Sequence, residues 1–183
     1  MALNTGYLTA SSSSASDECL TPRYGVEPII KHLKAQGYKH IWCPFDLASS
    51  QYPRALTRAG FTVSYTEYDF FQTEPPEGVD CIVSNPPFSC KDEILVRLYN
   101  LGLPFAVLLP QNSLQAINRV NMYMKHGLEY LGFDRRINFY TRGELDAWKP
   151  ANHFACGYFC KDVLPEKLLF ERLNPVQEHY YAV

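Results

Sequence analysis

The sequence predicts an α/β protein: an open, mostly parallel sheet flanked by helices, with an antiparallel hairpin near the carboxyl terminus. Three observations predict it. Between residue 21 and about residue 125, short apolar runs rich in β-branched and aromatic residues alternate with segments of helical spacing. Those helical segments run about 10 to 15 residues, the length a crossover between parallel strands requires. Beyond them helical periodicity fades, and two strand-like runs are separated by a polar linker. The chain has 183 residues, room for one domain of about 150 residues and its tails. A hydrophobic content of 46%, with 13 Tyr and 11 Phe, excludes global disorder.

Taken in order, residues 1–18 are polar and Ser-rich, with four consecutive serines from Ser11 to Ser14. Such a segment buries too little apolar surface to offset its ordering entropy, so it is expected to be a disordered arm. One domain is expected over residues 19–183. A helix begins at Thr21-Pro22, where Thr is a good cap and Pro suits the first turn, carries Val26, Ile29, Ile30 and Leu33 at helical spacing, and ends at Gly37. YKHIWC is a short strand, PFDLASSQYPRALTRAG a loop and helix ending at Gly60, and FTVSYTEY a second strand. VDCIVS (79–84) is an apolar strand bounded by Gly78 and by Asn85-Pro86-Pro87; KDEILVRLYNLG is helical, and PFAVLLP is a buried strand. Another helix is expected from about Ser113 to Lys125. LEYLGFDRRINFY and HFACGYFC then form the hairpin, joined by the exposed loop TRGELDAWKPAN, and DVLPEKLLFERL is expected to close the domain as a short helix.

The 17 basic residues against 19 acidic ones leave a formal charge of -2, which confines any nucleic-acid contact to a local patch. No apolar run approaches the roughly 20 residues needed to cross a bilayer, and the first residues lack a basic start and an apolar stretch of signal type. The expected location is the cytoplasm, with no membrane partner. Cys19, Cys43, Cys81, Cys90, Cys156 and Cys160 are too scattered for a disulfide framework. Cys156 and Cys160 sit at CxxxC spacing inside a strand-like run without a second Cys/His pair, so no metal is expected.

The sharpest feature is Ser84-Asn85-Pro86-Pro87-Phe88, placed after an apolar strand and before a helix. That is the carboxyl edge of the sheet, where open α/β proteins bind ligands. Two prolines fix the backbone and remove two amide donors, leaving carbonyls as acceptors. An Asn side chain beside such carbonyls is suited to accept hydrogens from an amine. The plainer possibility is a stiff turn, since Asn and Pro are ordinary turn formers.

Residues 85–88 match in full the (D/N)PP(F/Y/W) hallmark of the class I S-adenosylmethionine-dependent methyltransferases that act on the exocyclic amine of adenine, and the chain resembles that family over about residues 21 to 160. The resemblance implies a Rossmann-like methyltransferase fold with S-adenosyl-L-methionine as cofactor. It implies that Asn85 and the Pro86 carbonyl accept from the adenine amine, held by the stiff Pro87, while Phe88 stacks on a base swung out of its stack. Thr21-Pro22 looks like the family's segment beside the cofactor's methionine end. Where the family usually carries a glycine-rich loop, this chain has IWCPFD with no glycine; Asp46 would take the acidic role there, binding the cofactor's cationic amine. Glu67 would be the ribose-binding acid, although its register could equally place it on the surface. Asp69-Phe70 resembles the family's (D/N)-(F/L) segment, in which the acid accepts from the cofactor's adenine and the apolar neighbour covers the ring.

Arg135, Arg136, Arg142 and Lys149, interleaved with Phe133, Phe139, Tyr140 and Trp148, form a basic and aromatic concentration. Cations can contact phosphates while rings stack on bases, as in a strand-handling loop. Alternatively, the residues of a hairpin simply alternate between solvent and core. Lys125, His126, His153 and His179 are read as ordinary surface residues. The expected function is a small adenine-specific nucleic-acid methyltransferase of phage or prophage type, without a separate target-recognition domain, with DNA favoured over RNA by family frequency. A similar NPP(Y/F) turn also presents glutamine amides in the family that methylates release factors, and the missing glycine loop leaves open a silent relative that only binds nucleic acid or protein.

Overall fold

The computed structural model describes residues 19–65, 69–141 and 154–175. The arm expected over residues 1–18 lies outside them. In chain order the elements are β1 (Cys19–Leu20), α1 (Arg23–Ala35), β2 (His40–Cys43), α2 (Gln51–Arg58), β3 (Thr62–Tyr65), β4 (Cys81–Ser84), α3 (Lys91–Leu101), β5 (Phe105–Pro110), α4 (Ile117–His126), β6 (Glu129–Phe133), β7 (Tyr140–Thr141), β8 (Cys156–Lys161) and β9 (Leu168–Glu171). Seven strands form one sheet in the order β3-β2-β4-β5-β8-β6-β9. Neighbours are parallel except at β8, which runs antiparallel to both β5 and β6. This is the mostly parallel α/β architecture with the late antiparallel hairpin that the sequence pattern predicts.

The two faces of the sheet follow from the alternation of side chains along each strand. Ile41, Cys43, Cys81, Val83, Ala106, Leu108, Leu131 and Tyr158 pack on one face beneath Val26, Ile29 and Leu33 of α1 and Leu56 of α2. Trp42, Ile82, Phe105, Val107, Leu109 and Phe159 point the other way, onto Ile94, Leu95 and Leu98 of α3. Burial on both faces explains why β4 and β5 read as unbroken apolar runs. At the amino edge the start of β2 is tied to β4 by Asp80, whose Oδ2 accepts from the amides of Lys39 at 2.7 Å and His40 at 2.9 Å. Gly157 lets β6 and β8 approach: a Cβ there would meet the Tyr130 hydroxyl at 2.4 Å.

Four expectations need correction. Thr21 does not cap α1; Pro22 precedes the helix in extended conformation and no side chain caps it. The helix expected from Ser113 begins at Ile117, because a 3-10 turn over Gln111–Leu114 and the strained backbone of Ala116, at φ 121°, intervene. LEYLGFDRRINFY is two strands: β6 stops at Phe133, and Tyr140–Thr141 leaves to pair with Cys19–Leu20. Finally, the helix expected in DVLPEKLLFERL is the strand β9, parallel to β6. Buried Glu129 accepts from the amides of Asp162, Val163 and Leu164 at 2.8 to 3.1 Å, turning the chain back beside β6. There Leu169 packs on the core and Glu171 reaches His32 at 2.7 Å, a period-two pattern that outweighs the helical spacing.

Candidate active site

The chain runs from β2 through α2 to β3 on one side, then crosses back to β4 on the other side of β2. The carboxyl ends of β2 and β4 therefore flank the crevice at the switch in strand order. Asp46 follows β2 there and is only 8% exposed. The hydroxyl of Ser84, the last residue of β4, donates to Asp46 Oδ2, so a single bond joins the two loops. Ser50 adds a second hydroxyl to the same carboxylate. Burial pushes the Asp46 carboxyl up to about 7 against the pull of both hydroxyls. Among the described residues no cationic side chain pairs with it. A buried acid without a cation is costly, and such acids concentrate at functional sites.

A chain of buried hydroxyls carries this site to the start of α1. The Tyr158 hydroxyl donates to the Gly25 carbonyl at 2.9 Å, so in the 2.9 Å bond between the two phenols Tyr52 is the donor. Burial holds both phenols well above their ordinary range, and the Asp46 carboxylate adds to each shift. The buried hydroxyl of Thr21, 5% exposed, lies near Tyr52 and has no hydrogen-bond partner among the described residues. Gly25 admits the close approach, since a Cβ there would sit 3.0 Å from Thr21 Cγ2 and 3.2 Å from Ile137 Cδ1. Asp46 thus meets the end of β4 through Ser84, and its charge acts on the Tyr52–Tyr158 pair, beside which Thr21 is buried.

Asn85 is half-buried just beyond β4 and its Oδ1 is shielded from solvent. Pro86 is buried, and Pro87, at φ -60° and ψ 131°, leads into a 3-10 turn over Phe88–Cys90. That turn is pinned at two carbonyls: the Cys90 thiol lies 3.8 Å from the Pro87 oxygen, and Lys91 Nζ donates to Phe88 O at 3.2 Å. The Phe88 ring is half-buried, edge-on to Phe154 at 5.5 Å and 85°.

Asp69 and Phe70 follow β3, and Phe70 packs on Trp42 of β2. Asp69 Oδ1 accepts from the Phe71 amide at 2.9 Å, and its carbonyl accepts from the amides of Gln72 and Thr73, each at 3.0 Å. This local turn occupies one carboxylate oxygen. Phe70 is 3% exposed, packed against Phe45 at 4.8 Å and Trp42 at 5.7 Å with the Arg97 guanidinium 5.4 Å from its ring centre. It therefore lies in the core, and the half-buried Phe45 that it packs against immediately precedes Asp46 in the sequence.

Arg135 and Arg136 are exposed beyond the carboxyl end of β6, on the edge that also carries Asn85. Three strand spacings, about 14 Å, separate β6 from β4. Arg135 is paired with Asp134 at 3.1 Å. Phe139 and Tyr140, at 2% and 1% exposed, are core residues and offer no ring to a base. Glu67, Arg142, Trp148 and Lys149 lie outside the described residues. Sequence reasoning assigned no role to Ser84, Tyr52, Tyr158 or Phe154. The partners Tyr52 and Tyr158 are 106 positions apart, so no local pattern could have paired them. Ser84 adjoined the hallmark, and only its hydrogen bond shows that it touches the other loop.

No protein-family model matches the chain, and no curated protein matches it in sequence. Solved structures do match in shape. One, described as a class I S-adenosylmethionine-dependent methyltransferase from Listeria monocytogenes, superposes with a TM-score of 0.50 at 12% identity, over 93% of this chain and 70% of that one. A modification subunit of a type I restriction enzyme from Vibrio vulnificus gives 0.49 at 10% identity, over 94% of this chain; the chain spans 50% of that subunit's length. The fold is accordingly the Rossmann-like fold of class I methyltransferases, with helices on both faces of a mostly parallel sheet.

Proposed function

We propose that this chain is an S-adenosylmethionine-dependent methyltransferase acting on the exocyclic amine of adenine in nucleic acid, with DNA favoured over RNA. The observation that carries the reading is the Asn85-Pro86-Pro87-Phe88 turn at the end of β4, bonded through Ser84 to a buried acid across the crevice. The donor set suits the cofactor: a carboxylate at Asp46 that lacks a cation fits the cationic amino group of S-adenosylmethionine, and Thr21 and Pro22 would flank its methionine end. Asp69 has one carboxylate oxygen outside its local turn and would accept from the cofactor's adenine. Glu67 keeps its proposed ribose-binding role.

When bound, the cofactor supplies a methyl group on a positively charged sulfur. Asn85 Oδ1 and the Pro86 carbonyl would accept the two amine hydrogens, drawing the nitrogen toward a tetrahedral shape with its lone pair aimed at the methyl group. That lone pair, held by Asn85 and the Pro86 carbonyl, would take the methyl group from the cofactor as the amine gives up a proton to water. Positioning and electrostatics carry this chemistry. Phe88, with one edge against Phe154, would stack on the adenine. Arg135, Arg136, Arg142 and Lys149 would contact phosphates and Trp148 a base; the described neighbours Thr141 and Phe154 bracket the last three in sequence.

The test is calorimetry with S-adenosylmethionine, followed by transfer of a labelled methyl group to an adenine-containing oligonucleotide. Binding and transfer are expected. Binding without transfer to nucleic acid would favour a glutamine amide as acceptor, a second reading supported by the burial of Phe139 and Tyr140 and by the pairing of Arg135 with Asp134. No cofactor binding at all would leave a silent relative.

A further inference from the structure

The outer edge of the sheet at β9 is paired with no strand among the described residues. It is also unusually apolar. Leu168 is 55% and Phe170 68% exposed. Both point to the face that carries α4: Phe170 is paired with Gly132 in the β6 register, and a Cβ on Gly132 would strike the Phe170 ring at 2.7 Å and the Tyr130 ring at 3.2 Å. β9 begins beside the end of α4, because a Cβ on Gly127 would lie 3.9 Å from Lys167 Nζ. On α4 itself Ile117, Val120 and Met124 stand exposed at positions i, i+3 and i+7, forming one stripe. Exposed apolar residues gathered at an open strand edge mark an association surface.

We propose that β9 pairs antiparallel with β9 of a second copy of this chain, about a two-fold axis at Leu169, joining two sheets edge to edge. The backbone itself restricts the register. The carbonyls of Lys167 and Glu171 accept from the amides of Tyr130 and Asp134, so odd-numbered residues of β9 direct their polar groups inward to β6. By alternation the even-numbered residues, Leu168 and Phe170, direct theirs outward. Antiparallel pairing must place outward residues opposite one another, so registers change only in steps of two. With the axis at Leu169, Leu168 faces Phe170 of the partner chain, Lys167 faces Glu171, and Glu166 faces Arg172. Glu166 meets Arg172, Lys167 comes to a Glu171 that already binds Lys31 at 2.8 Å and His32 at 2.7 Å within its own chain, and the apolar side chains meet each other. One step in either direction sets Leu168 against Arg172 or Phe170 against Glu166, and no charge is matched. A two-fold contact must be self-complementary in this way, and the match selects a second copy over an unrelated partner.

The test is sedimentation equilibrium on the full chain with exposed-residue variants. Wild type should behave as a dimer. Arg172→Glu, which places like charges at both ends of the pairing, should weaken dimerisation about tenfold. The double variant Glu166→Arg with Arg172→Glu should restore it, and Phe170→Lys should abolish it. Circular dichroism of each variant checks the fold, and the charge-reversal pair guards against damage peculiar to Phe170. A wild type that stays monomeric at all accessible concentrations, or a dimer indifferent to Arg172→Glu and to Phe170→Lys, would overturn the proposal.

Discussion

Two aspartates sit at opposite ends of the same strand pair and meet opposite fates. Asp80, at the amino edge before β4, accepts from two backbone amides at the start of β2, and those bonds hold its carboxyl below the usual range. Asp46, at the carboxyl edge after β2, is buried against hydroxyls alone, and burial raises its carboxyl to about 7. The first is a staple whose charge is already matched. The second carries a desolvation cost that no described cation offsets, and that cost makes sense where the missing charge arrives with a ligand.

Asn85→Ala should lower methyl transfer by about 10²-fold or more while leaving cofactor affinity within a few-fold, since an oriented polar group at a reacting centre is typically worth that much. Near-normal turnover would mean that the carboxyl edge is not where chemistry occurs. Asp46→Ala should weaken cofactor binding by about 10- to 150-fold, the range for a hydrogen bond to a charged group. In wild type that affinity should rise as pH climbs through about 7, where Asp46 loses its proton, and Asp46→Asn should flatten the profile; calorimetry on both sides of that pH decides it.

Stability sharpens the contrast because the two signs differ. Asp80, ionised more readily folded than unfolded, contributes stability near neutrality that fades as acid protonates it. Asp80→Ala should cost about 1 kcal/mol near neutral pH, a screened value for a solvent-facing group, with cofactor affinity unchanged. Asp46 keeps its proton up to about 7 when folded but only to about 4 when unfolded. Its contribution is therefore full below about pH 4 and is lost as pH rises through about 7. Asp46→Asn should melt higher than wild type near pH 8 and no higher near pH 4, measured by thermal denaturation. The smallest effect is a slope: Arg142→Ala should flatten the salt dependence of oligonucleotide binding by just under one logarithmic unit, and Trp148→Ala should lower affinity without changing it.

How much of this was legible in the sequence differs by region. VDCIVS followed by Asn85-Pro86-Pro87 announced both a buried strand and its rigid exit, because local composition and local structure agree there. The hairpin of β6 and β8 was legible as well. β9 was not: DVLPEKLLFERL has helical spacing, and only the amides gathered by Glu129, 33 to 35 residues away, turn it into a strand. At the site, Asp46 could be picked out by position. Its protonation could not, since that depends on burial and on the hydroxyls of Ser84 and Ser50. Phe139 and Tyr140 read as part of a basic, aromatic surface until the pairing of Tyr140–Thr141 with Cys19–Leu20 turned both rings inward.

β5 and β6 are consecutive strands joined through α4, yet they do not pair, because β8 lies between them. During folding the chain must therefore hold open a gap one strand wide until residues 156–161 arrive to fill it. The parallel half, β3-β2-β4-β5, can zip up from contacts close in sequence; the other half waits on a late, long-range insertion. Until then two facing strand edges are exposed, a state prone to intermolecular pairing. Pulsed hydrogen exchange during refolding should find the amides of β2 and β4 protected before those of β6. Simultaneous protection would mean that β8 docks as early as its neighbours form.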